Sequence, residues 1–416
     1  MKTIGGRLSA WTIACMVSMI LAPVIALCQA STGGAQNQGN QQTQPNQTTP
    51  APQAPQTSQP VQPAQAPAPE WVFNGFTDWY YQVKFQKATA SDVTGRQFDI
   101  KRDTFSMAVT EANISRAPTH KVPFGLTVTL TAGKNADIIT STDPGRPVKS
   151  LKLFQQLYAT YDTFGHTPVT IDFGKFATWI GYEGIESINN DNYSRSFLYT
   201  FGQPIYHLGF RVSAPLTGRL TGTLYAVNGW NEVVDGNRGK SFGTTLAYVP
   251  TTPLTLTLNY YGGEEGSDRV NAAGSYGGIG FPNPGVLFVN LVDAYAVYQM
   301  TPKLKIGVDA TYADASSTHV TGGHWNGQTL YARYQFTPVL AVAGRLDRFE
   351  DSNGLRSGVV DNYTSFTANL DYLAFHGHVL ARLEYRHDHA STSYFSSGSG
   401  VGKNQDTITL ATAYKF

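Results

Sequence analysis

The stretch 303-KLKIGVDATY-312 decides the fold. Leu304, Ile306, Val308, Ala310 and Tyr312 are apolar, and Lys305, Gly307, Asp309 and Thr311 stand between them. Strict alternation is the period of a β-strand whose two faces meet different surroundings. The same theme recurs along the chain. Phe124, Leu126, Val128 and Leu130 oppose Thr127 and Thr129; Leu254, Leu256, Leu258 and Tyr260 oppose Thr255, Thr257 and Asn259. Near the end, Ile408, Leu410, Thr412, Tyr414 and Phe416 oppose Thr409 and Lys415. A soluble sandwich would show this period too, so other features must say whether the apolar face meets a core or lipid.

The N-terminus supplies the first. Lys2 and Arg7 precede an apolar run over residues 8–27 that closes on "LCQA", a pattern that predicts a signal peptide over 1–30 cut after Ala30. Pro23 and the small-residue exit argue against a retained helix. Cys15 and Cys28, the chain's 2 cysteines, both fall within it. The mature chain then has no disulfide, no cysteine metal site and no thiol nucleophile. No later segment approaches the ~20 consecutive apolar residues of a membrane helix, so a bilayer would be crossed by strands. Residues 31–69, Gln/Pro-rich and free of charge and aromatics, read as a disordered periplasmic spacer. The folded domain is expected over 70–416.

The second feature is rhythm. Alternating segments lie near 71–86, 103–115, 123–132, 150–162, 168–174, 204–213, 219–228, 240–249, 254–261, 286–299, 304–313, 327–336, 339–349, 362–373, 379–388 and 405–416. That is about sixteen strands, within a range of roughly 14 to 18. Short connectors ("APTHKVP", "TFGHTP", "APLTG", "VPTTP", "MTPK", "TP", "AFHGH") alternate with long ones, including 175–203, 262–285 and "ADASSTHVTGGHWN". An up-and-down meander built this way puts short turns at the periplasmic end and long loops outside. The third feature is Tyr and Phe at strand ends, placed to form girdles at the two interfaces. Hydrocarbon demands that every backbone group be paired, which only a closed sheet achieves. The expected fold is therefore all-β: a transmembrane antiparallel up-and-down β-barrel in the outer membrane of a Gram-negative bacterium, its apolar face on lipid. The terminal "TITLATAYKF" resembles the strand read by the barrel-assembly machinery, with Tyr414 and Phe416 carrying the signal.

A barrel of this size leaves an aqueous interior. In 379-VLARLEYRHD-388, Arg382, Glu384, Arg386 and Asp388 share one face, where lipid would cost each basic group up to about 2–4 kcal/mol. They are expected to line a pore. By the same parity Arg211, Lys305, Asp309, Arg333, Arg345 and Asp347 point inward. Two arrangements suit them, singly or together: salt bridges that stiffen the wall, and an arginine ladder that sets a transverse field.

The segments "GKFATWIGYEGIESINNDNYSRSFLYTFGQPIYHLGFRVS" (174–213) and "VNGWNEVVDGNRGKSFG" (227–243) resemble the β-barrel porin family of Gram-negative outer membranes. The Gly-Lys opening, "NYSRS", "PIYHLGFR" and "NGW" carry the resemblance, which implies a pore for small solutes but supplies no solute and no functional residues. In sixteen-stranded porins the third loop folds inward. If loop 175–203 does so here, Glu183, Glu186 and Asp191, with Arg195, would face the arginines as an eyelet; otherwise it is an ordinary external loop.

Enzyme signatures are missing: no H-E-x-x-H or P-loop occurs, and the G-x-S-x-G spacing of "GKSFG" (239–243) runs into an expected strand, not the strand-to-helix elbow of a nucleophile. His387 and His389 flank Asp388, but no third ligand is evident, so an exposed strand end is expected, with no metal and no cofactor. Lys+Arg 30 against Asp+Glu 29 offers no field for nucleic acid. The expected function is passive diffusion of small hydrophilic solutes, with lipid, the assembly machinery and a homotrimer as partners. The second reading is a barrel with a plugged lumen acting as a surface-binding protein or enzyme.

Overall fold

A computed structural model describes residues 71–87, 89, 92–139, 153–267, 285–317 and 321–416. The expected signal peptide and the 31–69 tract lie outside the described residues. Sixteen strands close an antiparallel barrel: β1 (Val72–Lys84), β2 (Phe105–Arg116), β3 (Phe124–Ala132), β4 (Phe154–Asp162), β5 (Thr170–Ala177), β6 (Tyr206–Pro215), β7 (Leu220–Val227), β8 (Ser241–Thr251), β9 (Leu254–Ser267), β10 (Gly285–Gln299), β11 (Leu304–Ser316), β12 (Gly323–Thr337), β13 (Leu340–Asp351), β14 (Asp361–Ala374), β15 (Val379–Ala390) and β18 (Asn404–Lys415). The last external loop carries a small ribbon of β16 (Phe395–Ser397) and β17 (Gly400–Gly402). Each barrel strand pairs with its neighbours in sequence, and β18 closes the circle onto β1. A helix, α1 (Lys134–Ile139), sits in the loop after β3. Among the described residues no helix is long and apolar enough to cross a membrane.

The alternation read in the sequence is the alternation of the wall. In β18 Leu410 is 58% exposed while its neighbour Thr409 is 2% exposed. Phe124, Leu346, Leu370 and Leu383 share the outward side, and the charged face of β15 is buried toward the lumen. Outward aromatics gather at both ends: Phe73, Phe124, Tyr161, Tyr248, Phe336, Tyr372, Tyr414 and Phe416 near the turns, and Phe85, Phe105, Phe242, Phe288 and Tyr385 near the loops. The tyrosines, apolar in body and polar at the hydroxyl, suit the two membrane interfaces, and the phenylalanines fill the apolar side of the same belts.

Closure depends on Gly75. Its N–H and C=O exchange hydrogen bonds of 3.0 Å with Phe416, and a Cβ there would lie 2.6 Å from the Phe416 ring. The C-terminal aromatic therefore covers the seam.

The strands depart from the sequence reading at loop 317–322. "ADASSTHVTGGHWN" reads as a long loop, yet β11 and β12 continue as a paired ribbon as far as Ala315 and Gly323. On this extension the outward residues turn polar (Asp314, His324, Asn326), as they would beyond the hydrocarbon.

Candidate functional site

The longest external connection, residues 178–205 between β5 and β6, enters the barrel. Its first step inward is Trp179, which stacks on Tyr225 of the wall with centroids 3.8 Å apart. Gly181 follows with φ +88°, in the left-handed region that glycine adopts without a Cβ penalty. The Gln203 amide occupies the place a Cβ would take, so the two roots of the loop meet at this glycine. The Gly181 N–H donates to Asp293 Oδ2 and the Tyr182 N–H to Asp309 Oδ2, each at 3.1 Å.

Wall carboxylates then hold the loop by its backbone. Glu384 accepts the N–H groups of Tyr193 (2.5 Å) and Ser194 (3.0 Å), and Asp347 accepts that of Phe197 (3.0 Å). Asp78 accepts the hydroxyls of Ser187 (2.6 Å) and Tyr193 (3.2 Å). On the return, Trp325 Nε1 and Arg356 Nε donate to the carbonyls of Gly202 and Phe201. Phe197 and Phe201 pack among Phe349, Tyr363 and Phe395. Buried backbone groups need partners, and here the barrel supplies them.

The six inward basic residues expected at the pore are each ion-paired. Arg345 binds Glu183 at 2.8 Å and Asp347 at 3.3 Å, and donates to the Ser194 carbonyl. Arg382 grips Asp371 with two bonds of 2.7 and 2.9 Å, and Arg333 reaches the same carboxylate at 2.6 Å. Arg386 binds Asp388 at 2.6 Å, which also accepts from Arg96 of the first loop at 2.8 Å. Lys305 meets Asp191 at 2.7 Å and Arg211 meets Asp172 at 2.6 Å. These contacts are the ion pairs that stiffen the wall. Arg345, Arg382 and Arg386 lie beneath the loop, whereas the side chains of Lys305, Arg333 and Arg211 keep 22%, 13% and 23% of their exposure.

The four loop residues expected at an eyelet go different ways. Glu183 and Asp191 meet Arg345 and Lys305. Arg195 turns back on its own loop instead, donating to the carbonyls of Gly184 (2.9 Å), Tyr193 and Ile185. Three donors fixed in one plane suit such a cluster of carbonyls. Glu186 points to the opposite wall, where Gln155 of β4 donates to it at 2.6 Å; on β2 the neighbouring Glu111 accepts from Asn113 at 2.8 Å. Gln155 is the extra residue of a β-bulge against Thr129 and Leu130 of β3, so Gln155 and Gln156 both face inward. Along this side Gly184, Glu186, Ile188 and Asn189 of the loop are half-buried, as are Asn113, Thr127, Tyr158 and Thr160 of the wall.

His387 and His389 point away from the lumen. His387 bonds Asp406 and His389 bonds Asn404, both at 2.8 Å. Among the described residues no group of three or more metal-ligating side chains occurs.

Comparison with known proteins places this architecture. A family model described as "Putative beta-barrel porin-2, OmpL-like" matches residues 71–416. The chain belongs to that family. No curated protein matches it in sequence. Among solved structures, DcaP, an outer membrane channel of Acinetobacter baumannii, superposes with a TM-score of 0.55 at 10% identity, covering 83% of this chain and 97% of that one. An anion-selective porin from Comamonas acidovorans gives 0.53 at 10%, covering 83% and 99%. OmpT of Vibrio cholerae, in a trimer form, gives 0.53 at 11%, covering 83% and 99%. These likenesses show a shared fold, and the OmpL-like porin family places the chain in the outer membrane.

The segments that resemble this porin family are the ones that seat the loop. Asn192 of "NYSRS" donates to Asn369 at 2.6 Å, Tyr193 and Ser194 dock on Glu384, and the Ser196 N–H closes on Glu183 at 2.8 Å. In "PIYHLGFR" the His207 ring bridges the Thr178 hydroxyl (3.1 Å) and the Gly229 carbonyl (2.9 Å). The Tyr206 hydroxyl donates to the Asn231 carbonyl at 2.6 Å. In "NGW" the Trp230 N–H donates to Glu265 at 2.8 Å.

Proposed function

We propose that the protein is a passive porin whose passage runs between the Gly184–Asn189 edge of the inserted loop and the β2–β5 wall. The observation that carries this reading is the half-buried polar strip on both sides of that gap, facing a loop whose other flank is sealed by ion pairs and aromatic packing. Small hydrophilic solutes would meet Asn113, Thr127, Tyr158 and Thr160 as exchange partners for their hydration shells. Arg211 and Asp172, paired with each other, leave little net field. Glu111 and Glu186 have no basic partner among the described residues, so the passage favours cations.

The other flank also speaks for the second reading, since Arg96, Arg356 and Phe395 bring further loops inward over β13–β18. The half-buried strip favours the pore over a plugged, surface-binding or enzymatic barrel. The export signal, the periplasmic spacer, assembly through Tyr414 and Phe416, and lining roles for Arg211, Lys305 and Arg333, the inward charges that keep side-chain exposure, belong to the same proposal. So does a homotrimer, for which the trimer form of Vibrio cholerae OmpT is the support.

The test combines two measurements. Proteoliposomes holding the protein should swell in small sugars at rates that fall with sugar size. In a salt gradient, Glu111→Gln with Glu186→Gln should move the reversal potential toward anions. An unchanged reversal potential would remove these two carboxylates from the passage, and absent swelling would remove the passage itself.

A further inference from the structure

Most carboxylates that anchor the inserted loop have a basic neighbour; the Asp293 and Asp309 pair has none among the described residues. Both face the lumen from adjacent strands, β10 and β11, and no lysine or arginine pairs with either among the described residues. The Gln203 amide touches both, at 3.4 Å from Asp293 Oδ1 and 3.2 Å from Asp309 Oδ2. Asp293 is otherwise satisfied, by Gly181 N–H, Asn259 at 2.8 Å and Thr311 at 2.7 Å. Asp309 Oδ1 has no hydrogen-bond partner.

A second observation concerns neutral groups. Thr329 of β12 stands directly across from Asp309 in the strand register, on the same lumen face. It is 3% exposed, and its hydroxyl has no partner. The Gln203 Oε1 is likewise buried and unpartnered. Which end of that amide faces the carboxylates is a matter of assignment. Turned over, it would set its oxygen against two carboxylates, which is favourable only with a cation or a shared proton between them.

We propose that Asp293 and Asp309, with Thr329 and Gln203, bind a divalent cation of the calcium class. Hard cations take six to eight oxygen ligands from carboxylates, amide oxygens and hydroxyls, as a rule, and two carboxylates balance a double charge. The ion fastens both roots of the inserted loop, because Gly181 and Tyr182 bond these carboxylates at one root and Gln203 reaches them from the other. It is taken up as the loop seats, since the finished site is closed to solvent.

Terbium, a luminescent stand-in for calcium, tests this without reference to conductance. Tyr295 lies across from Asp309 in register, and Tyr182 and Tyr331 pack with it, so excitation of these rings would feed a bound ion. The full chain is folded into detergent with TbCl3. The expected result is tyrosine-sensitised emission that saturates, is displaced by excess CaCl2, and is lost in Asp293→Asn with Asp309→Asn. Thr329→Val, which keeps both carboxylates, should shift the terbium titration to severalfold higher concentration, and circular dichroism verifies folding of each variant. Emission equal in wild type and both variants would mean terbium on other carboxylates and would overturn the site. No emission from folded wild-type protein would mean that the pair shares a proton instead, and would overturn it as well.

Discussion

Arg345→Ala is expected to free the inserted loop and raise single-channel conductance severalfold. The side chain is fully buried and ties Glu183 of the loop to Asp347 and Thr367 of the wall, while holding the Ser194 carbonyl. Its removal strands two buried carboxylates, and breaking a buried pair in this way costs about 3–5 kcal/mol. The barrel itself is kept by its backbone ladders, so the loss falls on the loop. Trypsin should then cleave after Arg195, which is buried in the wild type. Arg345→Lys, which keeps the charge but loses the planar fork, should fall between the two. Unchanged conductance together with continued protection of Arg195 would show that the loop does not depend on this anchor.

Leu410→Arg should cost about 2–4 kcal/mol, the usual penalty for a basic side chain at the bilayer midplane. Leu410 lies on the outward face of β18, opposite Leu383 of β15 and Tyr81 of β1. Thr127→Arg places the same side chain on the lumen face of β3, where surface-like substitutions stay within about 0.5 kcal/mol. Urea unfolding of protein folded into lipid vesicles would compare them through their midpoints. Equal midpoints would mean that the outward face does not touch hydrocarbon.

The barrel was legible because each strand carries its own evidence. In β15 the four charges at every second position could face only water, and in β11 Lys305 and Asp309 alternate with Ile306 and Val308. The course of the loop was less legible, because its partners are distant in sequence. Glu384 reads as a pore-lining charge by parity, and it does face inward, but it spends its oxygens on the backbone of Tyr193 and Ser194. Arg195 reads as an eyelet charge, yet the three carbonyls that capture it exist only after the loop has folded. Glu111 and Asp78 were open to the same parity argument. Gln155 was not, since a bulge breaks the period that such an argument needs. The extension of β11 and β12 was hidden because strands that leave the hydrocarbon lose their apolar outward residues and read as loop.

The most direct measurement is the single-channel conductance of the purified, detergent-folded chain in planar bilayers. A water-filled barrel narrowed by a seated loop predicts discrete steps of uniform size that scale with salt concentration. A folded barrel that inserts into the bilayer and yields no steps above the leak would contradict it.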